Sequence, residues 1–503
     1  MLELASKPVL RLGLIARLFE EFHEQEILYC HWKSNEHLHA SMLGETDLDV
    51  LFDKDQKEKV ESVVHRLGFK KFNAISQKTY NDIVDYLGLD EDSGRIIHLH
   101  THYRLSIGKP YLKEYQFGFN LERTILANRV FYEEYGIFCI QPACELILLY
   151  IREALKLRGR DILFLVKNRP RFNAFVVREY KWLKERVTDD DLDRALKTIF
   201  PDYAECYPIM IGPFNTRQLF LLASLLKKKK LKTSYSPLAS LLNRWYREAT
   251  VILSRRLAPL LHRPIAFKRT NPRGGLIVAV IGADGSGKST VTENLKNTFE
   301  GKLDVYKIYF GRGDGKASGS RRLLNSAKAL LKQKGNTKNA SPSGSSHKRA
   351  GFLRSLHKCA DALLVAAEKR KNLNFVTTAR KKGMLVICDR YPQHQVMGYN
   401  DGPLLYTLST SRNPLLRWLA KFESKAYSRA ENQAPDIVFK LVADAATVEK
   451  RKPGETSLEK LENKISGIKQ QKFKAPCKVI TVDANQPLPH VLHLIKRKIW
   501  EML

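Results

Sequence analysis

The sequence predicts an α/β protein with a doubly wound parallel sheet in its C-terminal half and a second α/β domain in its N-terminal part. Two observations lead to this fold class. After residue 275, short apolar runs alternate with helical patterns, as expected for the βαβ units of a parallel sheet. A similar alternation extends from residue 27 to residue 138. Between them the pattern is helical and basic, which predicts a helical middle region.

Changes of pattern along the chain predict its domain organisation. A chain of 503 residues is expected to form two or three domains. We predict an α/β domain at 1–140, a basic helical region at 141–263, a linker at 264–274 and a second α/β domain at 275–503. The linker prediction rests on the prolines, glycines and charged residues of that stretch.

The C-terminal domain begins with the spacing of a phosphate-binding loop. Residues 276–281 form an apolar run typical of a buried strand, and Gly282 ends it. Four residues separate Gly282 from Gly287, Lys288 and Ser289, which is the G-x-x-x-x-G-K-[ST] spacing. The alternative is a turn rich in glycine and serine before an ordinary helix. We favour phosphate binding, because an apolar strand pattern precedes the loop and a helical pattern follows it. A chance match to the spacing alone would not be expected to have both.

Each residue type in the loop suits this chemistry. The glycines let backbone N–H groups approach phosphate oxygens, Lys288 reaches the terminal phosphates, and Ser289 offers a hydroxyl to Mg²⁺. The loop residues that we expect to contact the ligand are Gly282, Asp284, Gly285, Ser286, Gly287, Lys288, Ser289 and Thr290.

A second polar group follows the apolar strand predicted at 384–388. Asp389 and Arg390 come directly after this strand. Because ligands of doubly wound sheets bind at the carboxyl ends of the strands, we expect both residues to lie beside the phosphate-binding loop. Asp389 can hold a water on Mg²⁺ or orient a hydroxyl, and Arg390 can bridge two phosphates.

The rest of the C-terminal domain continues the same alternation. We predict strands at 304–310, 435–443 and 478–484, a long helix at 350–382 ended by Gly383, a helix at 444–452, and a closing helix from 488.

The charge of the chain restricts its partners. The 85 lysines and arginines exceed the 53 acidic residues, which gives a net charge of +32. Such a charge favours phosphate-rich partners, namely nucleotides, nucleic acid or an anionic membrane surface. Nucleic acid is the least favoured of the three, because the sequence lacks a basic motif interleaved with stacking aromatic residues.

Other features predict a cytoplasmic protein. The seven cysteines are scattered without a C-x-x-C spacing, which indicates reduced thiols and not a zinc site. Residues 1–22 contain three glutamates and have apolar residues at helical spacing, which predicts an amphipathic helix and not a signal peptide. The chain lacks an apolar run of about twenty residues. Any membrane contact is therefore expected to be peripheral, at the inner membrane face.

The helix predicted at 237–262 is the candidate for such a contact. It contains Trp245 and Tyr246 among several arginines. Two interpretations stay open: a helix that lies on anionic lipid or a partner, and a connector helix with a solvated basic face.

The N-terminal domain contains a second candidate metal site. Asp47 and Asp49 alternate along a predicted strand, so both carboxylates are expected on one face, where they can hold Mg²⁺. His98, His100 and His102 alternate along a later strand. They can complete a metal site with the two aspartates, or form the polar face of a half-exposed strand at a domain edge.

This N-terminal pattern resembles that of nucleotidyltransferases, which have a Gly-Ser turn, a spacer and Asp-x-Asp on the next strand. Here Ser34 precedes the aspartate pair, and Lys33 stands where a glycine is usual. The resemblance implies either a nucleotidyltransferase or an inactive domain that binds a phosphorylated ligand.

Residues 275–503 resemble the thymidylate kinase group of P-loop nucleoside monophosphate kinases. The matching parts are the loop with its internal Asp284, the Asp389-Arg390-Tyr391 triplet, and the basic helix end at Lys450, Arg451 and Lys452. The resemblance implies a P-loop NTPase fold and ATP with Mg²⁺. It implies that Lys288 contacts the transferred phosphoryl group, that Ser289 and Asp389 lie at the metal, that Arg390 lies near the acceptor, and that Arg451 belongs to a closing lid. Arg312 stands where the family has an arginine after its second strand.

The sequence departs from that group after Tyr391. The residues that contact the thymine base in thymidylate kinases are replaced at 392–403 by a stretch that includes Asn400 and Asp401. These two residues can bind an acceptor rich in hydroxyls or simply form a turn. The sequence is also similar to kinase-like proteins of bacterial surface-polysaccharide loci.

Three hypotheses about function follow. The first is a kinase that transfers the γ-phosphoryl group of ATP to a nucleoside monophosphate or a related small acceptor. The second is a nucleotidyltransferase, or a polysaccharide-associated kinase that acts on a sugar or glycolipid. The third is a non-enzymatic, ATP-gated basic scaffold. Each is compatible with a homodimer.

Overall fold

The computed structural model describes residues 11–158, 161, 172–228, 232–233, 235–311, 344–398, 400–454 and 457–503. Two compact units can be distinguished. The N-terminal unit comprises Met1–Pro259 and Phe267–Arg269, and the C-terminal unit comprises Leu260–Ala266 and Thr270–Leu503. Arg312, singled out from the sequence, lies outside the described residues.

The N-terminal unit contains a mixed sheet with the neighbour order β3-β4-β5-β2-β1-β9-β8, and a small sheet with the order β10-β7-β6. Strands β2 and β5 pair in parallel, whereas β4 and β5 pair antiparallel. The strands are β1 (Tyr29–His31), β2 (Leu48–Phe52), β3 (Lys70–Ala74), β4 (Ile83–Asp90), β5 (Arg95–His102), β6 (Ser106–Ile107), β7 (Tyr115–Gln116), β8 (Val130–Tyr132), β9 (Ile137–Cys139) and β10 (Lys232–Thr233).

Helices pack on this sheet and form a second core beside it. They are α1 (Gly13–Glu24), α2 (Leu38–Met42), α3 (Lys57–Arg66), α4 (Phe119–Ala127), α5 (Pro142–Leu155), α6 (Ala174–Lys184), α7 (Asp189–Thr198), α8 (Tyr207–Met210), α9 (Thr216–Lys228) and α10 (Pro237–Leu261). Helix α5 is buried almost all round, because α6, α7 and α9 pack against it.

The C-terminal unit contains a parallel sheet with the neighbour order β13-β14-β12-β15-β16. Its strands are β12 (Leu276–Gly282), β13 (Val305–Tyr309), β14 (Leu385–Asp389), β15 (Ile437–Val442) and β16 (Lys478–Asp483), and β11 (Arg269–Thr270) precedes them in the chain. The predicted α/β class is confirmed, and each predicted strand of this unit is present within two residues of its expected ends.

The order of the strands places the predicted loop at the centre of the sheet. Strand β12 is buried along its whole length, and β14 and β15 flank it. Because the strands are parallel, the ends of β12 at Gly282 and of β14 at Asp389 lie at the same edge.

The helices of the C-terminal unit are α11 (Lys288–Glu300), α12 (Gly344–Lys381), α13 (Pro414–Asn432), α14 (Ala445–Arg451), α15 (Leu458–Gln470) and α16 (Leu488–Met502). Gly383, with a φ of 80°, follows α12 as predicted. Asp444 caps the start of α14, and its carboxylate accepts a hydrogen bond from the backbone N–H of Thr447. Among the described residues, no helix has both the length and the apolar character needed to cross a bilayer.

Candidate functional site

The loop between β12 and α11 has a backbone that requires its glycines. Gly285 and Gly287 have φ values of 84° and 91°, in the left-handed region that favours glycine. A Cβ atom on Gly282 would collide with the Ser286 hydroxyl and with the Leu441 carbonyl. The loop therefore turns tightly against β15, and Gly287 caps the start of α11. The first backbone N–H groups of a helix are free to bind an anion.

Lys288 is buried at the start of α11, with only 5% of its surface exposed. Its ammonium donates a 2.6 Å hydrogen bond to the carbonyl of Ala283, within the loop itself. Burial, and then the nearby Arg390 guanidinium, lower the pKa of Lys288 to about 8. A buried ammonium of this kind would be stabilised by an anionic ligand in the loop.

Ser289 and Asp389 meet at the edge of the sheet. The Ser289 hydroxyl donates a 2.9 Å hydrogen bond to Oδ2 of Asp389. Asp389 is 2% exposed, and its Oδ1 has no hydrogen-bond partner among the described residues. A buried carboxylate oxygen without a partner is costly, so this atom is positioned for a ligand, a water or a cation.

Asp284, in the loop, is surrounded by cations. Its carboxylate contacts Arg390, lies 3.1 Å from the ammonium of Lys464, and lies 3.8 Å from that of Lys288. Burial alone would raise the pKa of Asp284, but these three cations hold it well below its usual value. The carboxylate is therefore ionised at neutral pH.

Arg390 lies between two carboxylates. Besides Asp284, it approaches Oδ2 of Asp401 at 3.5 Å. Asn400 and Asp401 both have positive φ, at 51° and 65°, as residues of a turn often do. Burial alone would lower the pKa of Arg390, but Asp401 and Asp284 raise it above its usual value. Arg390 itself has a φ of 70°, a conformation unfavourable for a residue with a Cβ.

Asp284, Lys288, Ser289, Asp389 and Arg390 line one cavity of about 740 Å³, within the size range of sites that bind nucleotides and other small molecules. Among the described residues that line it, five side chains are basic and two are acidic, which makes the cavity suitable for a polyanion. The charged lining residues are Asp284, Lys288, Lys307, Asp389, Arg390, Arg451 and Lys452.

The structure thus brings together the loop residues from Asp284 to Thr290 with Asp389, Arg390 and Arg451. Gly282 ends the strand below them. Lys464 and Lys307 were not anticipated from the sequence. Lys464 lies on α15, which no motif marked, and Lys307 alternates with apolar residues on β13, a pattern equally typical of a solvated strand.

The N-terminal candidate residues divide into two groups. Asp47 Oδ1 lies 2.8 Å from Nδ1 of His98, whose Nε2 lies 2.7 Å from Asp85. Asp49 lies instead beside His100 and His102. The interpretation of these histidines as the polar face of a half-exposed strand is wrong, because His98 and His102 are fully buried. Strand β5 lies between β4 and β2 in the sheet.

Two proteins of Escherichia coli that are named as ATP-binding proteins are similar to part of this chain. The chain is 29% identical over 235 residues to YghS, an uncharacterized ATP-binding protein of Escherichia coli strain K12, a match that covers 44% of this chain and 92% of YghS. It is 24% identical over 224 residues to YghR, an uncharacterized ATP-binding protein of the same strain, covering 44% of this chain and 86% of YghR. No family model matches the chain.

Proposed function

We propose that the C-terminal unit is a P-loop kinase that binds ATP with Mg²⁺ and transfers its γ-phosphoryl group to a small acceptor. The observation that supports this most strongly is the meeting of Lys288, Ser289, Asp389 and Arg390 in one basic cavity at the edge of a parallel sheet. The loop spacing and the parallel sheet together support the P-loop NTPase fold.

ATP is the proposed donor for two reasons. The cavity is large enough for a nucleotide, and its lining presents an excess of basic side chains to the phosphates. The two Escherichia coli relatives are named as ATP-binding proteins.

Ser289 and Asp389 are the residues proposed to hold Mg²⁺. A hydroxyl and a carboxylate are oxygen ligands of the type that Mg²⁺ prefers, and the partnerless Oδ1 of Asp389 fits a bound cation or its water. When bound, Mg²⁺ neutralises charge on the phosphate oxygens.

The basic side chains of the cavity are proposed to have different roles. Lys288 exchanges its bond to the Ala283 carbonyl for a phosphate oxygen, which stabilises the ammonium that burial disfavours. Arg390, held between Asp284 and Asp401, is placed to bind the acceptor side of the transferred group. Arg451 and Lys452, at the end of α14, line the cavity and are proposed to close over it.

The acceptor is proposed to be a nucleoside monophosphate or a related molecule with a phosphate or hydroxyl. The cations around Asp284 suit a phosphate, and the carboxylate of Asp401 suits a hydroxyl. Since residues 392–403 lack the base-contacting residues of thymidylate kinases, we do not propose thymidine as a required part of the acceptor.

Two lysines on α11 provide the test. Lys288→Ala removes the buried ammonium, whereas Lys296→Ala removes a partly exposed one that pairs with Glu293 and Glu300. Incubation with γ-labelled ATP, Mg²⁺ and a panel of nucleoside monophosphates and cell extract should give labelled product with the wild type and Lys296→Ala. We expect Lys288→Ala to lower the rate at least about a hundredfold, because it removes the positive charge that is proposed to contact the transferred phosphoryl group. Equal product from both variants would exclude the proposed site.

A peripheral membrane contact is a second proposed property, favoured by α10. The large side chains of this helix that are more than half exposed include Leu238, Leu242, Trp245, Tyr246 and Leu253, which share one face. Exposed arginines, Arg255 and Arg256, follow on the same helix. Apolar and aromatic side chains with nearby arginines suit an anionic lipid surface, which would place the protein at the inner membrane face.

A further inference from the structure

Three side chains in the N-terminal unit form a triangle of metal-ligating atoms. Oδ1 of Asp49 lies 2.8 Å from Nδ1 of His100 and 3.4 Å from Nε2 of His102. The two imidazole nitrogens lie 3.3 Å apart. A zinc-like ion bonded at about 2.0–2.1 Å to each of three ligands would separate neighbouring ligand atoms by about 2.9–3.4 Å. The observed separations span almost the same range.

The arrangement differs from a pair of carboxylates that share Mg²⁺. The Asp47 side chain is directed to His98 and lies 4.0 Å from the guanidinium of Arg269. His98 in turn lies against Asp85, which Arg269 also contacts at 2.8 Å. Asp47 therefore belongs to a separate charge network, and Asp49 is the carboxylate that shares a site with two imidazoles.

The strands hold these three ligands in place. Asp49 and His100 are direct partners in the parallel pairing of β2 and β5, and His102 is two residues further along β5 on the same face. The ring centroids of His100 and His102 are 4.4 Å apart. Because β5 is hydrogen-bonded to β2 on one side and to β4 on the other, its backbone is held in place, and this fixes the spacing of the ligands.

A basic pocket adjoins the triangle. Lys33, whose ammonium lies 3.0 Å from Asp49 Oδ1, lines a pocket of about 330 Å³ together with Lys113 and Lys156. Burial, and then Lys33, lower the pKa of Lys113 to about 8. A cation on Asp49 would displace Lys33, and an anion in the pocket would stabilise the released ammonium beside Lys113.

We propose that Asp49, His100 and His102 bind one divalent transition-metal ion, with open coordination positions for an anionic, phosphate-bearing ligand held by Lys33 and Lys113. Two imidazoles and one carboxylate favour ions such as Zn²⁺, Co²⁺ or Fe²⁺ over Mg²⁺. This site lies wholly in the N-terminal unit and does not depend on the proposed kinase activity.

The test is a Co²⁺ titration of the untagged full chain, stripped of metal and free of nucleotide, followed by visible absorption and calorimetry. One Co²⁺ per chain should bind, displaced by Zn²⁺ and not by Mg²⁺, and inorganic phosphate should tighten the binding. Asp49→Asn and His100→Gln should each weaken it at least about tenfold. Circular dichroism of each variant checks its fold, and the partly exposed His100 keeps the test valid if Asp49→Asn does not fold.

Asp47→Asn is the matched control, because it changes the other aspartate of the same strand. It should bind Co²⁺ within about threefold of the wild type. Equal loss in Asp47→Asn would overturn the ligand set in favour of paired carboxylates. Absence of binding to the wild type, or binding that neither Asp49→Asn nor His100→Gln weakens, would overturn the site.

Discussion

The hydroxyl of Ser289 and the carboxylate of Asp389 form a 2.9 Å hydrogen bond between residues one hundred positions apart in the chain. Ser289 lies in the first turn of α11, and Asp389 is the last residue of β14. The bond exists because β12 and β14 are neighbours in a parallel sheet, so that the loop after one strand faces the end of the other. It leaves Oδ1 of Asp389 buried without a partner among the described residues.

Ser289→Ala and Asp389→Asn should each weaken the binding of ATP in the presence of Mg²⁺, and their effects should not add. Both residues are proposed to hold the same ion, so the loss of one removes most of the benefit of the other. We expect a coupling free energy of about 1–3 kcal/mol in a double-mutant cycle. Calorimetry with ATP, with and without Mg²⁺, measures it.

Thr298→Ala is the control for this cycle. Thr298 lies on α11, and its exposed hydroxyl bonds to the carbonyl of Asn294. It should leave ATP binding unchanged. Strictly additive losses in the double variant, or equal losses without Mg²⁺, would contradict a shared cation at Ser289 and Asp389.

Arg390→Lys should reduce phosphoryl transfer about a hundredfold or more while changing ATP affinity by less than about fivefold. Lysine keeps the charge but cannot reach Asp284 and Asp401 at once as the planar guanidinium does. Steady-state kinetics with an acceptor found in the labelling assay, together with ATP titration, separates the two effects. Arg429→Ala, which removes an exposed arginine bonded to Asn374, should leave both unchanged. A variant that loses ATP affinity and transfer equally would place Arg390 on the donor side.

The C-terminal strands and the loop were predictable because their signals are local. An apolar run, the spacing from Gly282 to Ser289, and a charged pair after a strand are each visible within a few residues. Their convergence follows once the sheet is taken as parallel. Lys464 was not predictable in this way. It reaches Asp284 across 180 positions, from a helix without a motif of its own.

The N-terminal site shows where local pattern fails. The alternation of His98, His100 and His102 correctly placed three imidazoles on one face. It could not reveal that His98 and His102 are fully buried, since burial depends on the residues from elsewhere in the chain that pack over this face. For the same reason the sequence did not indicate Asp85, which lies opposite His100 in β4.

Glu145→Gln should stabilise the protein relative to the wild type increasingly between pH 4.5 and 7. Glu145 is buried in α5, and burial, then Glu179, raise its pKa from 4.5 to about 7. A raised folded-state pKa contributes stability below the unfolded pKa, and this contribution is lost as the pH rises through 7. Glutamine does not titrate, so the difference in unfolding free energy should change by up to about 3 kcal/mol across this window.

Denaturant unfolding followed by circular dichroism at several pH values measures this difference. Glu185→Gln is the control, because Glu185 is an exposed glutamate of the same unit. It controls for the loss of one glutamate charge from this unit. A difference for Glu145→Gln that stays constant with pH would show that Glu145 is ionised in the folded protein throughout this range.

Replacing Trp245 and Tyr246 by serine should weaken binding to anionic lipid vesicles at least about tenfold. Both side chains are exposed on α10, and the insertion of aromatic rings at a lipid interface depends on their apolar area. Flotation with vesicles of increasing phosphatidylglycerol content, at low and high salt, measures the binding. Ile211→Ser removes an exposed apolar residue elsewhere in the N-terminal unit and should have little effect. If the wild type fails to float with anionic vesicles, α10 is a connector helix with a solvated face.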